Sequence, residues 1–449
     1  MDQILDRIFK AYDIRGLVGT ELTQELCFDI GRSLADFLPT EGIVAVGRDM
    51  RPDSEDLAKK VIEGLRLQGR DVWDLGQITS DMAYFAVGKY DLAGGVVVTA
   101  SHNPGEYNGI KIYRDGVNAV GLDSGFKNIK RAILNASFKP KSNKLGTLEN
   151  KDISDTWIEH ALGFVDYKNW PKLNIAIDAG NGMAGAILPK LLPRLPISCR
   201  EMFFELDGTF PNHEANPHKP ENLADLSRTI KDNGLDFGIA FDGDGDRVGF
   251  VDDLGRPVLG TDLLSLMARF FLKKHPGSPI IYEVRTSRAT AEIIQEDGGI
   301  PVRTKAGRID IGRKLRELGA FFGGETTGHF FFKDNYDADS GLISALVIIQ
   351  AIVDHGRKLS DIVNELRRYA ILTETNFEAE DKQAVIEKVK LKFSNQQIDE
   401  LDGVTVAFDS GAWLNLRPSN TEPLLRLNAE ASTEEELDRL VNDVRKLIS

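Results

Sequence analysis

The 449-residue chain has little cysteine, only Cys27 and Cys199. They lie too far apart in sequence for a CxxC pair. Neither a disulfide scaffold nor a cysteine-based zinc site is therefore legible, and a reducing compartment is the default. A basic excess is also lacking: 55 Lys and Arg against 69 Asp and Glu leave a formal net charge of −14. Partners that are nucleic acids or anionic membranes call for the opposite sign. Long apolar runs are missing; the longest, near Leu342–Val353, is broken by Ser344 and Gln350 and is too short to span a bilayer. The start, Met-Asp-Gln-Ile-Leu-Asp-Arg, lacks the basic-then-apolar layout of a secretory signal. No Gly-x-Ser-x-Gly elbow occurs, which argues against a serine hydrolase of the α/β type. What remains, 42 % apolar and 28 % charged, is the composition of a soluble globular protein, with the cytoplasm as its expected location. The length points to three or four domains.

A repeat organises most of the chain. Three stretches share an element order: a β-rich run, a polar turn, a helical segment, a second strand, a second helix, then two strands joined by a short polar loop. The first strands are Ile43–Val46, Leu173–Ile177 and Pro279–Val284, and the second are Asp71–Leu75, Glu201–Leu206 and Ile300–Thr304. The closing pairs are Gly95–Ala100 with Gly109–Tyr113, Asp236–Phe241 with Val248–Asp252, and Ala320–Gly324 with His329–Lys333. Strands alternating with helices predict α/β layers with largely parallel sheets, and the tight last loop predicts one antiparallel pair in each. The tail differs: a strand, a charged helix over Asp381–Phe393, two strands around Arg417–Pro423 and a closing helix over Thr433–Ile448. The expected architecture is three similar α/β domains with mixed sheets, over 1–150, 151–254 and 255–369, plus a C-terminal α+β domain over 370–449.

In open α/β sheets ligands gather beyond the carboxyl ends of strands, and the loops there are rich in chemistry. Asp242-Gly243-Asp244-Gly245-Asp246-Arg247 places three carboxylates at alternate positions of a Gly-rich turn. Converging on one centre they need a cation, and an all-oxygen set suits a hard ion, Mg²⁺ or Ca²⁺. An EF-hand does not fit, because Arg247 stands where Gly is required and Asp253 where Glu is. The competing reading is a solvated acidic turn. Ser101, in Thr99-Ala100-Ser101-His102-Asn103-Pro104, sits at a strand end. It reads either as a turn hydroxyl or as a phosphoryl carrier, whose charge would call for a cation and for basic groups such as Arg15, Lys111 and Arg247. Arg417-Pro418-Ser419-Asn420-Thr421-Glu422-Pro423, followed by Arg426, gathers phosphate-binding donors on a turn, or is an Asn/Ser turn with an incidental arginine. Gly324-Glu325-Thr326-Thr327-Gly328-His329 joins acid, hydroxyls and imidazole, groups suited to sugar hydroxyls. A rival signal is Gly180-Asn181-Gly182-Met183-Ala184-Gly185, which follows a strand and opens a helix, with Asp207 beyond the next strand. Alone it would mark a nicotinamide-dependent oxidoreductase. It leaves the other loops unexplained, and the two similar units lack it; its glycines are read as a tight strand-to-helix turn.

With these residues assembled, the chain resembles the α-D-phosphohexomutase family in its phosphomannomutase/phosphoglucomutase branch. The matching runs are Phe9–Gly16, Thr99–Pro104, Asn108–Lys111, Pro220–Leu223, Asp242–Arg247, Gly324–His329 and Arg417–Pro423, in family order over nearly the whole chain. The resemblance implies a C-terminal domain like the TATA-binding protein. It implies an enzyme that interconverts hexose 6-phosphate and hexose 1-phosphate, of mannose or glucose, through a phosphoserine at Ser101 and a bisphosphorylated sugar. One Mg²⁺ per chain is implied on Ser101, Asp242, Asp244 and Asp246, with glucose 1,6-bisphosphate as activator. Arg15, His102, Lys111 and His329 join Ser101 as catalytic candidates. Tyr12, Arg247, Arg285, Gly307, Arg308, Glu325, Thr327, Arg417, Ser419, Asn420, Thr421 and Arg426 are the substrate-binding candidates. Partners would be small phosphosugars, to a monomer or dimer. Three positions depart from the commoner pattern: Arg285 stands where many relatives have Lys, Gly307-Arg308 where many have Gly-His, and Thr327 where Ser is usual. An arginine does not give up its proton, so Arg285 and Arg308 suit phosphate contact better than proton transfer. Phosphoglucosamine mutase is the alternative within the same chemistry.

Overall fold

The computed structural model describes residues 2–39, 41–379, 381–418 and 424–448. They form two compact units, one of Met1–Gly260 with Thr327–Ile362, the other of Thr261–Thr326 with Val363–Ser449.

The first unit holds two sheets that follow one plan. In the first sheet, Val44–Arg48 runs parallel to both Val72–Gln77 and Gly94–Val98, and Gly94–Val98 turns back into antiparallel Tyr107–Arg114. In the second, Leu173–Asp178 runs parallel to Ile197–Met202 and Phe237–Phe241, and Phe237–Phe241 pairs antiparallel with Val248–Val251. The parallel strands with an antiparallel last pair are what the repeat predicted. Gly94–Val98 and Phe237–Phe241 are buried along their whole length, as expected of strands covered on both faces. Helix Gln24–Phe37 starts at Thr23, whose hydroxyl accepts from the Leu26 amide, and buries Leu26, Cys27, Ile30 and Leu34 at helical spacing. Those residues meet Val44, Val46, Val96 and Val98 in the core of the first domain.

One expected strand moves. The second strand of the second repeat is Ile197–Met202, not Glu201–Leu206. Phe203 adopts φ 54°, a left-handed conformation that ends an extended strand and turns the chain outward. The aromatic pair Phe203-Phe204 mimicked a strand core, whereas the true strand is half exposed.

The apolar stretch 342–353 lies inside helix Gly341–His355, buried almost throughout and capped by Ser340, whose hydroxyl accepts from the Ile343 amide. Among the described residues no helix is long and apolar enough to cross a membrane.

In the second unit Pro279–Glu283 runs parallel to Ile300–Thr304 and Phe322–Gly324. The C-terminal domain is an antiparallel sheet in the order Ala370–Glu378, Leu424–Ala431, Trp413–Pro418, Val404–Ala407, Gln397–Asp399. Helices Lys382–Lys392 and Glu434–Ile448 pack Val389, Leu437 and Val444 against Leu414, Leu416, Leu425 and Leu427 of that sheet. The short strands Gln397–Asp399 and Val404–Ala407 had no clear sequence signal. The fold class is nonetheless the expected one.

Candidate active site

Ser101 sits in the loop that follows Gly94–Val98, buried, with φ 51°. Few residues other than glycine hold a left-handed conformation without support. The support is Arg51, itself buried. Its guanidinium donates to the carbonyls of Ser101 (2.9 Å), Asn103 (2.6 Å), Pro104 (2.7 Å) and Tyr107 (2.8 Å). Asp49, also buried, lies 3.2 Å from Arg51 Nε and keeps the pair neutral. The Ser101 amide donates to Thr99 Oγ1 at 2.9 Å. So fixed, Ser101 Oγ donates to Asp242 Oδ2 at 2.7 Å and lies 3.2 Å from His102 Nδ1. Burial, then the charges of Arg247 and Arg15, push the His102 imidazole well below its usual pKa, so it is neutral at pH 7. Arg15 Nη1 reaches Asn103 Oδ1 at 2.5 Å from the neighbouring strand Ile14–Leu17.

Facing Ser101 is the loop 242–247. Asp242, Asp244 and Asp246 are all fully buried and converge within 4.8 Å. Gly243 lets the two loops touch: a Cβ there would stand 2.4 Å from the Ser101 carbonyl oxygen. Lys111 Nζ lies 2.5 Å from both Asp244 Oδ2 and Asp246 Oδ2, and Ser80 Oγ donates to Asp244 at 2.5 Å. Arg247 Nε donates to Asp242 Oδ2 at 2.9 Å, and its amide to Oδ1 at 3.1 Å. Burial pushes the Asp242 carboxyl up to about 6 against the pull of Arg247. Burial would raise Asp244 as well, but Lys111 beside it holds that carboxyl below its usual range.

The cluster fits a hard divalent cation. Its ligand atoms are all oxygens, and Lys111 and Arg247 supply two positive charges against three carboxylates. Asp244 Oδ1 is buried without a hydrogen-bond partner among the described residues, and an orphaned carboxylate oxygen is costly unless a ligand meets it.

Beside the cluster, His329 Nδ1 lies 2.6 Å from Asp339 Oδ2 and 3.7 Å from Asp246 Oδ1. The contact of Nδ1 with Asp339 fixes the orientation of the ring.

Four regions of the chain match one family in order. Phosphoglucomutase/phosphomannomutase alpha/beta/alpha domain I matches residues 6–139, domain II 155–255, domain III 260–369 and the C-terminal domain 374–447. The chain belongs to the phosphoglucomutase/phosphomannomutase family. Phosphohexose mutases of Xanthomonas campestris pv. campestris are 39% identical over 426 residues, 94% of either chain. A phosphoglucomutase of Neisseria gonorrhoeae is 36% identical over 457 residues, covering 100% of this chain and 98% of its own. The crystal structure of a phosphoglucomutase/phosphomannomutase family protein from Burkholderia thailandensis superimposes with a TM-score of 0.90 at 32% identity, over 98% of this chain and 96% of that one. The reaction class follows from the family: an isomerase that interconverts hexose phosphates.

The residues expected at the site fall in both units. The first unit brings together Ser101, His102, Arg15, Lys111, Arg247, the three aspartates and His329. Tyr12 is half-buried in the bend before Ile14–Leu17, and Thr327 precedes His329. In the second unit Arg285 is enclosed by Glu283 (2.9 Å), Glu374 (3.3 Å) and Glu325 (3.7 Å). Gly307, at φ 137°, caps helix Arg308–Leu318, and Arg308 is its half-buried first residue. Arg417 and Arg426 sit on adjacent strands. Ser419, Asn420 and Thr421 lie outside the described residues. The Gly180 turn serves the protein's own backbone rather than a dinucleotide. A Cβ on Gly182 would stand 2.8 Å from the Gly243 carbonyl, and the Met183 amide donates to that same carbonyl at 2.9 Å. The turn thus seats the acidic loop.

No sequence motif singles out Arg51, Ser80, Asp339 or Glu374. Arg51, Ser80 and Glu374 act through residues far away in sequence, and Asp339 through His329, ten positions before it.

Proposed function

We propose that the chain interconverts the 6- and 1-phosphates of mannose and glucose through a phosphoryl group carried on Ser101. The observation that supports this best is the Ser101 hydroxyl, buried and strained, 2.7 Å from Asp242 and beside two further aspartates. In the first half-reaction the bond from phosphorus to Ser101 Oγ breaks as one forms to the free hydroxyl oxygen of a hexose phosphate. The proton that leaves the sugar hydroxyl ends on Ser101 Oγ. The second half-reaction reverses this with the sugar's other phosphate. His329 Nε2 is assigned the proton exchange at the sugar. Neutral His102 orients Ser101 Oγ. Lys111 pairs with Asp244 and Asp246 and holds both in place, and it keeps Asp244 ionised.

Arg247 Nη2 is buried with no hydrogen-bond partner among the described residues, which suits a donor kept for the transferring phosphoryl group. Asp242, Asp244 and Asp246 with Ser101 would hold Mg²⁺, which supplies fixed positive charge where the phosphoryl group transfers. Glu325 and Thr327 are assigned to sugar hydroxyls; Tyr12, Arg285, Gly307 and Arg308 to the substrate's remaining groups. Arg417 and Arg426, with Ser419, Asn420 and Thr421, are assigned to the phosphate that is not reacting. Glucose 1,6-bisphosphate serves as activator by restoring a lost Ser101 phosphate. Both cysteines are free thiols, in keeping with work in the cytoplasm.

Intact-mass measurement with and without glucose 1,6-bisphosphate tests the reading. One phosphoryl group on Ser101, with turnover lost in Ser101→Ala, is expected; full activity in that variant refutes it. Side-by-side rates on mannose, glucose and glucosamine 6-phosphates check the sugar. A wide preference for the glucosamine ester would make the enzyme a phosphoglucosamine mutase instead.

A further inference from the structure

Arg417 and Arg426 stand directly opposite each other on adjacent antiparallel strands. Like charges in that register repel. The compensation comes from a third strand. Glu374 Oε2 lies 2.7 Å from Arg417 Nη2, and Oε1 lies 3.1 Å from Arg426 Nη1. A slip of register brings it there. Leu372 pairs with Ala429 but Thr375 with Leu427, so Thr373 and Glu374 together oppose Asn428 alone. Such a bulge re-aims a side chain out of the regular alternation.

Glu374 stays ionised: burial would raise its carboxyl, but Arg285, Arg417 and Arg426 hold it below the usual range. Arg285 Nη1 also lies 3.3 Å from Glu374 Oε2, but that guanidinium has a second carboxylate in Glu283 at 2.9 Å, so Glu374 is shared among the three arginines. One carboxylate with an oxygen on each of two guanidinium groups reproduces what a phosphate ester presents to such a pair. Arg417 Nε is also buried without a hydrogen-bond partner among the described residues, a further donor on the same fork.

We infer that Glu374 is the resident anion of this arginine pair: it holds Arg417 and Arg426 convergent when no ligand is bound, and gives up Arg417 to an arriving phosphate. The inference rests on the proposal above that these arginines bind the non-reacting phosphate. It makes Glu374 a positioning residue that limits how tightly phosphate is held. That limit matters to an enzyme whose bisphosphorylated sugar must let go and bind again the other way round. Recapture of Arg417 by Glu374 assists the release.

The test is calorimetric titration of inorganic phosphate into the full-length enzyme, with turnover on hexose 1-phosphate measured alongside. Glu374→Gln, nearly isosteric but neutral, is expected to tighten phosphate about fivefold, the worth of one partly buried ion pair. Glu374→Asp, which keeps the charge but shortens the reach, should tighten it by a smaller factor. In turnover Glu374→Gln should lower KM and kcat together, a split that mere loss of structure does not produce. Arg417→Ala should weaken phosphate binding. If Arg417→Ala weakens phosphate and either Glu374 variant leaves it unchanged or weaker, the exchange is refuted and Glu374 only braces the arginines. If Arg417→Ala leaves phosphate affinity unchanged, the assignment of these arginines to phosphate fails, and the inference with it.

Discussion

Replacing Gly243 by alanine puts the loop-to-loop contact at the active site to a quantitative test. The glycine has no left-handed φ, so alanine strains nothing in the local backbone. Its Cβ, however, would stand 2.4 Å from the Ser101 carbonyl oxygen and 3.2 Å from the Ser101 carbonyl carbon, where ordinary contact begins at 3.4 Å. Relief requires a separation of about 1 Å, which can come from either loop. The Ser101 side resists, because Arg51 Nη2 pins that same carbonyl at 2.9 Å and the guanidinium holds three more carbonyls of the loop. The movement therefore falls on the relation between Ser101 Oγ and Asp242, now 2.7 Å. Misplacing reacting groups by about 1 Å costs on the order of a hundredfold in rate, or about 2.7 kcal/mol of barrier. The assay is formation of hexose 6-phosphate from hexose 1-phosphate, coupled to a dehydrogenase, with far- and near-UV circular dichroism to show that the variant is folded. A folded Gly243→Ala enzyme within threefold of wild type in kcat/KM would refute the claim that these loops must touch.

Two further outcomes follow from buried charges. Arg51→Lys replaces a fork that serves four carbonyls by a single ammonium that cannot reach them all. A loss of about 2 kcal/mol, read as a lower midpoint in thermal unfolding together with reduced kcat, is expected; an unchanged midpoint would show that the loop holds its own shape. Asp81 is fully buried, accepts from the hydroxyls of Thr79 and Ser340, and its carboxyl is pushed up to about 7, chiefly by burial. An acid whose folded pKa is raised binds more protons folded than unfolded, so stability falls as pH rises from about 4 to about 7 and is then level. Asp81→Asn removes this loss, by at most about 4 kcal/mol. Its thermal midpoint relative to wild type should climb between pH 5 and 7. A difference that is flat or falls with pH would mean Asp81 is ionised throughout.

Periodic features survived the passage from sequence to structure best. The three α/β repeats were legible because each strand is a compact β-rich run and each polar loop stands between two of them. The acidic loop was legible because three carboxylates at alternate positions of one tight turn call for a cation if they converge. Boundaries that depend on a single backbone angle were not. Nothing in Met202-Phe203-Phe204 announces that Phe203 turns left-handed. Strand Val404–Ala407 and the edge strand Gln397–Asp399 are short: pairing with Trp413–Pro418 defines the first, and pairing with the first defines the second, more than their own composition does.

Sequence by itself determined the repeated order of elements in the α/β units and, through its seven spaced motifs, the reaction class. These are properties of residue type and local spacing, which the chain carries before it folds. Tertiary structure alone decided which charges neutralise which. Arg51 and Ser101 are 50 positions apart, Lys111 and Asp244 133, and Glu374 and Arg417 43. Each contact is strong because burial removes the water that would otherwise screen it, and no local pattern encodes burial by a distant segment. The net charge of −14 therefore says little about the site: the acidic groups that matter there are buried against lysine and arginine brought from elsewhere in the fold.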